Sequence, residues 1–189
     1  MATKTFSING YSISELFHTP STRGEYIKCK LIKNGHIIGE YINTGTGDIG
    51  KFCLTEESVK KGITEDSLRK ELEKWPPYVN KPKMLLIGHD YEVQWNLDLL
   101  IDELINLSNI LASYKKRVKE GRNEKLVVVY DARTYEQITF ALRPDQCPDI
   151  NYIVSQICKI YNYEYYWYDV YSTQKDFHKK LETGADSNK

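Results

Sequence analysis

Residues 83–171 read KMLLIGHDYEVQWNLDLLIDELINLSNILASYKKRVKEGRNEKLVVVYDARTYEQITFALRPDQCPDINYIVSQICKIYNYEYYWYDVY. Short apolar runs in this stretch predict strands, and apolar side chains that recur every three or four residues predict helices. The predicted order is strand, long helix, strand, strand, short helix, strand, and its first strand is the apolar run at residues 83–88. We expect the rest of the chain to be organised around this stretch.

The strongest periodic signal is a seam of apolar residues along one side of a helix predicted over residues 92–119. The seam residues are Val93, Leu97, Leu100, Leu104, Leu107, Leu111, Tyr114 and Val118. A helix of that length is about 40 Å long, whereas a six-residue strand spans only about 20 Å. The far half of the helix therefore needs another apolar surface. Either the N-terminal part of the chain covers it, or a second copy of the chain does, in a homodimer through the long helix.

The elements after the long helix predict a sheet with helices packed on one face. Residues 126–130 are a buried strand and residues 137–142 a half-covered one, and the short connection between them implies an antiparallel hairpin. A second amphipathic helix follows. Its predicted apolar face comprises Ile150, Ile153, Val154, Ile157 and Ile160. With a tyrosine-rich strand at residues 163–171, the order βαββαβ is that of the ferredoxin-like unit.

The chain before residue 76 predicts an antiparallel β-hairpin module with short helices. Asn9-Gly10 and Asn34-Gly35 are turn signals, and the second joins two alternating strands. Thr55 and Thr64 precede short helical segments as predicted caps. Prolines then interrupt the chain. We predict an α+β protein with a β-rich N-terminal module at residues 1–75, a Pro-containing linker at 76–82, a core unit at 83–171 and a partly disordered tail at 172–189.

Charge and cysteine content argue against several classes of protein. Lys plus Arg and Asp plus Glu each number 26, so the net charge of 0 argues against a general polyanion binder. The four cysteines include no C-x-x-C pair, which fits reduced thiols in a cytosol. No signal-like apolar block and no run of membrane-spanning length is present. We expect a cytoplasmic protein, and its richness in Lys, Ile, Asn and Tyr indicates a low-GC source such as a bacterium or its phage.

The tyrosine-rich strand is the leading candidate for a partner-binding surface. As the fourth strand of the predicted unit it lies at a sheet edge, where an uncovered strand favours association. Tyrosine and tryptophan supply rigid, amphipathic contact area. Alternation along the strand places Tyr165, Trp167 and Tyr171 on one side and Tyr166 and Tyr168 on the other. One side is expected to be core and the other to contact a partner.

A second set of residues suggests metal-dependent chemistry. His89 and Asp90 end the first predicted strand, and Asp131 and Arg133 end the second. If the two strands are parallel members of one sheet, both ends lie on the same edge. Two carboxylates, an imidazole and a guanidinium gathered there can hold a divalent metal or a phosphate for phosphodiester cleavage. A capping role for Asp90 and a turn at the Asp131 end are the structural alternatives.

Basic residues cluster at the end of the long helix and just beyond it. They are Lys115, Lys116, Arg117, Lys119 and Arg122. Such a patch can contact phosphate groups, which makes a nucleic-acid-binding protein a third option. The structural alternative is a solvated helix end, since basic residues suit the negative end of the helix dipole.

The glycines at residues 45–50 satisfy the pattern G-x-G-x-x-G. A phosphate-binding loop of this type needs a strand before it and a helix N-terminus directly after it. The strand is predicted, but the residues that follow look extended. A loop between two strands is therefore the alternative to a phosphate site.

The sequence favours a non-enzymatic cytosolic binding protein, an inhibitor or adaptor of the kind that phages and mobile elements encode. Its expected partner is a larger protein or a nucleoprotein, and no cofactor or membrane contact is predicted. The rival hypotheses are the metal-dependent phosphodiesterase or nuclease centred on Asp90 and Asp131, and direct nucleic-acid binding through the basic helix end.

Overall fold

The computed structural model describes residues 6–21, 24–46, 50–76, 78–79, 92–131, 137–143, 149–163 and 166–181. Its strands are β1 (Ser7–Ile8), β2 (Tyr11–Ser21), β3 (Gly24–Lys33), β4 (His36–Asn43), β5 (Lys51–Leu54), β6 (Tyr78–Val79), β7 (Glu92–Val93), β8 (Lys125–Asp131), β9 (Gln137–Leu142), β10 (Tyr166–Tyr171) and β11 (His178–Lys179). Its helices are α1 (Glu56–Lys60), α2 (Glu65–Leu72), α3 (Leu97–Lys119) and α4 (Ile150–Ile160), with a 3-10 turn at Gln174–Phe177. The predicted α+β class is confirmed. The strand predicted at residues 83–88 lies outside the described residues.

The described residues fall into two compact units. The large-sheet unit comprises the described residues up to 76, together with 94–108 and 178–181. The small-sheet unit comprises 78–79, 92–93 and the described residues from 109 to 177. The first half of helix α3 therefore belongs to the large-sheet unit and its second half to the small-sheet unit. The sequence pattern predicted the whole helix within one core unit, because a periodic seam does not reveal what covers each turn.

The large-sheet unit is built on a six-stranded sheet in the order β11-β1-β2-β3-β4-β5. All neighbours pair antiparallel except β1 and β11, which are parallel. The predicted turn at Asn34-Gly35 is confirmed, with φ of 49° and 89°, the left-handed values that asparagine and glycine tolerate best. The turn at Asn9-Gly10 is confirmed in the same way and joins β1 to β2.

Aromatic residues join separate parts of the large-sheet unit. The Tyr11 ring meets the Trp75 ring edge-on with centroids 5.6 Å apart, and Trp75 meets Trp95 in the same way at 5.4 Å. All three side chains are buried. They link strand β2 to the segment after α2 and to the segment before α3. Edge-to-face contacts of this kind add about 0.5–1.5 kcal/mol each beyond the burial of their area.

The short helices begin where their caps predict. The Thr55 side chain accepts a hydrogen bond from the Ser58 amide at the start of α1. Thr64 and Ser67 form a reciprocal capping box at the start of α2. Each satisfies amide groups that a helix N-terminus leaves without an internal partner.

Helix α3 is shorter than predicted. It begins at Leu97, where the Asn96 side chain accepts a hydrogen bond from the Leu99 amide. Val93, which was predicted to lie in the helix, belongs to strand β7. The predicted seam is buried from Leu100 to Leu111 within one chain, and Val118 at its far end is 53% exposed. No helix in the described ranges is long and apolar enough to cross a membrane.

The small-sheet unit corrects the ferredoxin-like prediction. Its three-stranded sheet has the order β10-β8-β9, and β8 pairs antiparallel with both neighbours. In a ferredoxin-like sheet the last strand would lie beside the first strand of the unit and not beside the second. Here β9 and β10 run parallel on either side of β8, with α4 in the connection between them. The order of elements along the chain is compatible with both arrangements, because only long-range strand pairing distinguishes them.

Candidate functional site

The α4-facing side of the small sheet is core. Buried Val127 and Val129 of β8 form a cluster with Val154 and Cys158 of α4, and Tyr163 closes it. Partly buried side chains from both outer strands pack against this cluster. They are Ile138, Phe140, Leu142, Tyr166, Tyr168 and Val170, with Ile150 of α4. Tyr166 and Tyr168 are therefore on the covered side of the tyrosine-rich strand.

The opposite side of β10 is partly covered as well. Tyr171 is 1% exposed and stacks on Phe177 with ring centroids 4.6 Å apart, which makes it a core residue rather than a surface one. Trp167 is partly exposed and stacks on its cross-strand neighbour Tyr130 at 4.9 Å and 9°. Of the residues proposed from sequence to contact a partner, Trp167 is thus the accessible one on this side. Tyr165 lies outside the described residues.

The most exposed apolar side chains of the small-sheet unit lie on α4 and its C-cap. Ile160 is 77% exposed, Tyr152 is 62% exposed and Tyr161 is 56% exposed. Tyr152, Gln156 and Ile160 are four residues apart in succession, which places them along one side of the helix. The Tyr168 hydroxyl donates to the Asn151 side chain, so this helix is tied to the tyrosine-rich strand. We call Tyr152, Ile160 and Tyr161 the α4 patch.

The apolar spacing predicted Ile160 on the buried face of this helix, and the structure corrects that prediction. The side of α4 that is buried carries Val154 and Cys158. Ile160 is six residues beyond Val154, which rotates it away from the sheet on a helix with 3.6 residues per turn. The exposure of Tyr152 was not anticipated, although its position outside the predicted apolar face was a signal for it.

The basic end of α3 divides into two groups. Arg117 donates to Glu124 at 2.7 Å, and Glu124 also lies 3.7 Å from Arg143, so this arginine has a structural role. The Arg122 side chain pairs with Glu120 at 3.1 Å. Lys115, Lys116 and Lys119 are exposed and form no ion pair with any described residue.

Of the proposed catalytic group, Asp131 is the member that lies within the described residues. Asp131 is 3% exposed at the end of β8, opposite Tyr166. Desolvation raises the pKa of the Cys158 thiol, and the negative charge of Asp131 raises it further. His89, Asp90 and Arg133 lie outside the described residues. Among the residues that are described, no three His, Cys, Asp or Glu side chains are grouped to hold a metal ion.

The large-sheet unit contains a carboxylate cluster that the sequence analysis missed. The Tyr41 hydroxyl donates to Asp98 Oδ1 at 2.7 Å. Desolvation, and after it the negative charges of neighbouring carboxylates, together raise the pKa of Asp102 to about 6. Those neighbours are Asp98, Glu103 and Glu25. The four-residue spacing of Asp98 and Asp102 places them on one side of α3, but only the fold brings the sheet to that side.

The glycine pattern at residues 45–50 has a structural explanation. The Gly45 amide donates to the Asn43 side chain at 2.9 Å, which closes a local turn, and Gly45 has a φ of 69°. A Cβ at Gly50 would lie 2.1 Å from the Tyr41 hydroxyl oxygen, so only glycine fits against that ring. Strand β5 follows the loop, so the helix N-terminus that a dinucleotide-type phosphate loop requires is not at this position.

Comparisons of this chain with protein-family models, with curated proteins and with solved structures found no match.

Proposed function

We propose that this protein is a non-enzymatic binding protein, an inhibitor or adaptor whose partner is a larger protein or a nucleoprotein. The partner-contacting surface in this proposal is the α4 patch, and the accessible Trp167 on the other face of the small sheet is a separate candidate contact. The single observation that carries the proposal is the exposure of three large apolar side chains within ten residues of one helix and its cap. Scattered single apolar residues are normal on a surface, whereas clustered ones favour binding.

The energetics of the patch favour a protein partner. Full burial of a large apolar side chain contributes about 1.5–3 kcal/mol relative to its exposure. The side of α4 that carries Val154 and Cys158 packs on the small sheet, whereas Tyr152 and Ile160 are not part of that cluster. Tyr161 keeps one ring contact with the core, to Tyr163, with centroids 6.2 Å apart. Two of the three residues are tyrosines, the residue type in which interface energy tends to concentrate. Trp167 is partly exposed on the other face of strand β10, so it is a separate surface of the same kind.

Capture of the partner by the whole chain tests this proposal. The immobilised protein is incubated with a lysate of the source cells, with and without nuclease, and bound proteins are identified by mass spectrometry. Tyr152→Ser and Ile160→Ser are then compared with Phe17→Ser and Val118→Ser, which truncate apolar residues of similar exposure elsewhere. We expect the first pair to lose a specific captured protein and the second pair to retain it.

Thermal melts establish first that all four variants are folded. A captured protein that both pairs retain equally, or that both pairs lose equally, would contradict the assignment of the α4 patch. The nuclease arm distinguishes the two kinds of partner, since a nucleoprotein contacted through its nucleic acid is lost after digestion and a protein contact is kept.

Nucleic-acid binding through the basic end of α3 is the second candidate function. It is supported by Lys115, Lys116 and Lys119, which are exposed and carry no ion pair with described residues. Phosphate contacts release counterions, so binding through them weakens steeply as salt concentration rises. Lys116→Gln and Lys119→Gln should weaken binding to a labelled oligonucleotide if this surface is used. An affinity that neither the substitutions nor salt change would remove this candidate.

A further inference from the structure

Strand β9 is an end strand of the small sheet. The sheet has the order β10-β8-β9, and β9 pairs with β8 along Gln137–Leu142 without a break in register. None of the other described strands pairs with the far side of β9. An end strand presents a row of backbone N–H and C=O groups along that side, and this row is a template for pairing with a further strand.

The other end strands of the two larger sheets are protected against such pairing. Strand β11 has two residues, and β5 has four residues that begin with Lys51. Strand β10 carries Asp169. Short length and charged side chains at an edge both oppose pairing with another chain. The residues of β9 read QITFAL, with no charge, no proline and no bulge, so β9 is the end strand best suited to accept a further strand.

The two faces of β9 differ in their exposure. Ile138, Phe140 and Leu142 pack against the cluster beneath α4 and are only partly buried. Gln137 and Thr139 lie on the other face and are exposed. A strand added beside β9 would cover more of the three apolar side chains, and the burial of apolar area favours association.

The residue pattern of β9 is complementary to itself. A two-fold axis normal to the sheet makes two copies of β9 antiparallel and keeps both copies of α4 on the same face. Residues directly opposite each other then share a face, so apolar residues meet apolar ones and polar residues meet polar or small ones. Because the strand carries no charge, the pairing brings no like charges of β9 together. These properties favour a second copy of this chain as the occupant of the edge.

We propose that the β9 edge is a homodimerisation surface, at which two copies pair antiparallel and join their small sheets into one continuous sheet. The long helix was the candidate for a homodimer from sequence, but its apolar seam is buried within one chain from Leu100 to Leu111. The proposal does not rest on the α4 patch, whose partner is a different protein.

Sedimentation velocity of the full chain at about 1–100 μM tests the proposal, since a dimer of micromolar affinity forms over that range. We expect a reversible dimer at the highest concentration. Thr139→Lys adds one positive charge at the edge of each copy, and lysine at an edge opposes strand pairing. This substitution should raise the dissociation constant of the dimer at least about tenfold.

Two further substitutions are matched controls. Thr139→Val keeps a β-branched residue at the same position without adding charge, so it should preserve the dimer. Cys53→Lys adds the same charge at an exposed position on β5, the end strand of the large sheet, and it should also preserve the dimer. Thermal melts establish whether the three variants are folded.

Hydrogen exchange locates the interface in the parent protein, without any substitution. Amide exchange at residues 137–142 should slow as the protein concentration rises, whereas exchange at residues 51–54 should not change. A parent protein that is monomeric at about 100 μM would overturn the proposal. A dimer whose exchange at β9 does not depend on concentration would also overturn it, and so would equal losses of affinity in Thr139→Lys and Cys53→Lys.

Discussion

The Tyr41 hydroxyl donates a 2.7 Å hydrogen bond to the Asp98 carboxylate, joining strand β4 to the first turn of α3. Burial raises the pKa of Tyr41, and this hydrogen bond to Asp98 raises it further. The Tyr41 side chain is 1% exposed, so its hydroxyl group needs such a partner. Asp102 follows one turn later on the same side of the helix.

We predict that Asp102→Asn stabilises the protein at neutral pH. The folded-state pKa of Asp102 is about 6, above the unfolded value of about 3.9, so ionised Asp102 lowers the free energy of unfolding. The difference between variant and parent should be largest above pH 6 and vanish below about pH 4, where the carboxyl is protonated in both states. Because Asp102 is an exposed residue, screening by solvent should keep the gain well below what the full pKa shift implies. Urea unfolding at several pH values measures it.

Asp176→Ala is a control for which we expect the opposite change in stability. Desolvation acts against ionisation there, but hydrogen bonds from the Ser172 and Thr173 amides hold the pKa of Asp176 below its usual value. This substitution should destabilise the protein at pH 7, and the loss should fade as the pH falls through the folded-state pKa. An Asp102→Asn variant that is less stable than the parent at pH 7 would refute the prediction.

Glu124→Gln should destabilise the small-sheet unit by about 1.5–3 kcal/mol, the usual contribution of a hydrogen bond to a charged group. The Glu124 side chain is 7% exposed and bridges Arg117 and Arg143. Glu120→Gln is the matched control, since Glu120 pairs with Arg122 on the surface. Equal effects of the two substitutions on the denaturation midpoint would show that burial of the Glu124 bridge is unimportant.

Leu107→Asp and Leu111→Asp should each destabilise the protein by several kcal/mol, because a charge would enter an apolar site without a partner. The two leucines are 2% and 4% exposed. Val118 belongs to the same seam but is 53% exposed. Val118→Asp should therefore leave the free energy of unfolding nearly unchanged. If Val118→Asp and the two leucine variants have the same melting temperature, the burial of the seam at Leu107 and Leu111 is contradicted.

Tyr171→Ala should cost about 3 kcal/mol or more, because it removes a buried ring from its stack on Phe177. Trp167→Ala should cost less, since Trp167 is only partly buried against Tyr130. If the tyrosine-rich strand contacts a partner, Trp167→Ala should also reduce capture of that partner while remaining folded. Folded Trp167→Ala with full capture would exclude this residue from the interface.

The phosphodiesterase hypothesis predicts a rise in melting temperature with Mg²⁺ or Mn²⁺, since a ligand that binds the native state stabilises it. It also predicts nucleotide cleavage that is lost in Asp90→Asn and Asp131→Asn. We expect neither effect. A metal-dependent shift in the parent that both variants abolish would replace the binding-protein proposal with the enzymatic one.

Local chemistry determined a substantial part of this fold. Asn34-Gly35 adopts left-handed backbone angles that few other residues tolerate, and Thr55 and Thr64 cap helices through atoms a few residues away. Such features depend on neighbours in the chain, so the sequence is sufficient to predict them. The apolar seam of α3 was recognisable for the same reason, because its spacing follows from the helical repeat.

Long-range packing decided the rest. The sequence shows that β10 is a strand, but its position beside β8 depends on which pairing buries the most apolar surface. Ile160 fits a predicted apolar face, yet it is exposed because the small sheet covers only the side of α4 that carries Val154 and Cys158. Tyr41 and Asp98 are 57 residues apart and meet only in the folded chain. Periodicity specifies that a face is apolar, whereas the surface that covers it is set by the whole chain.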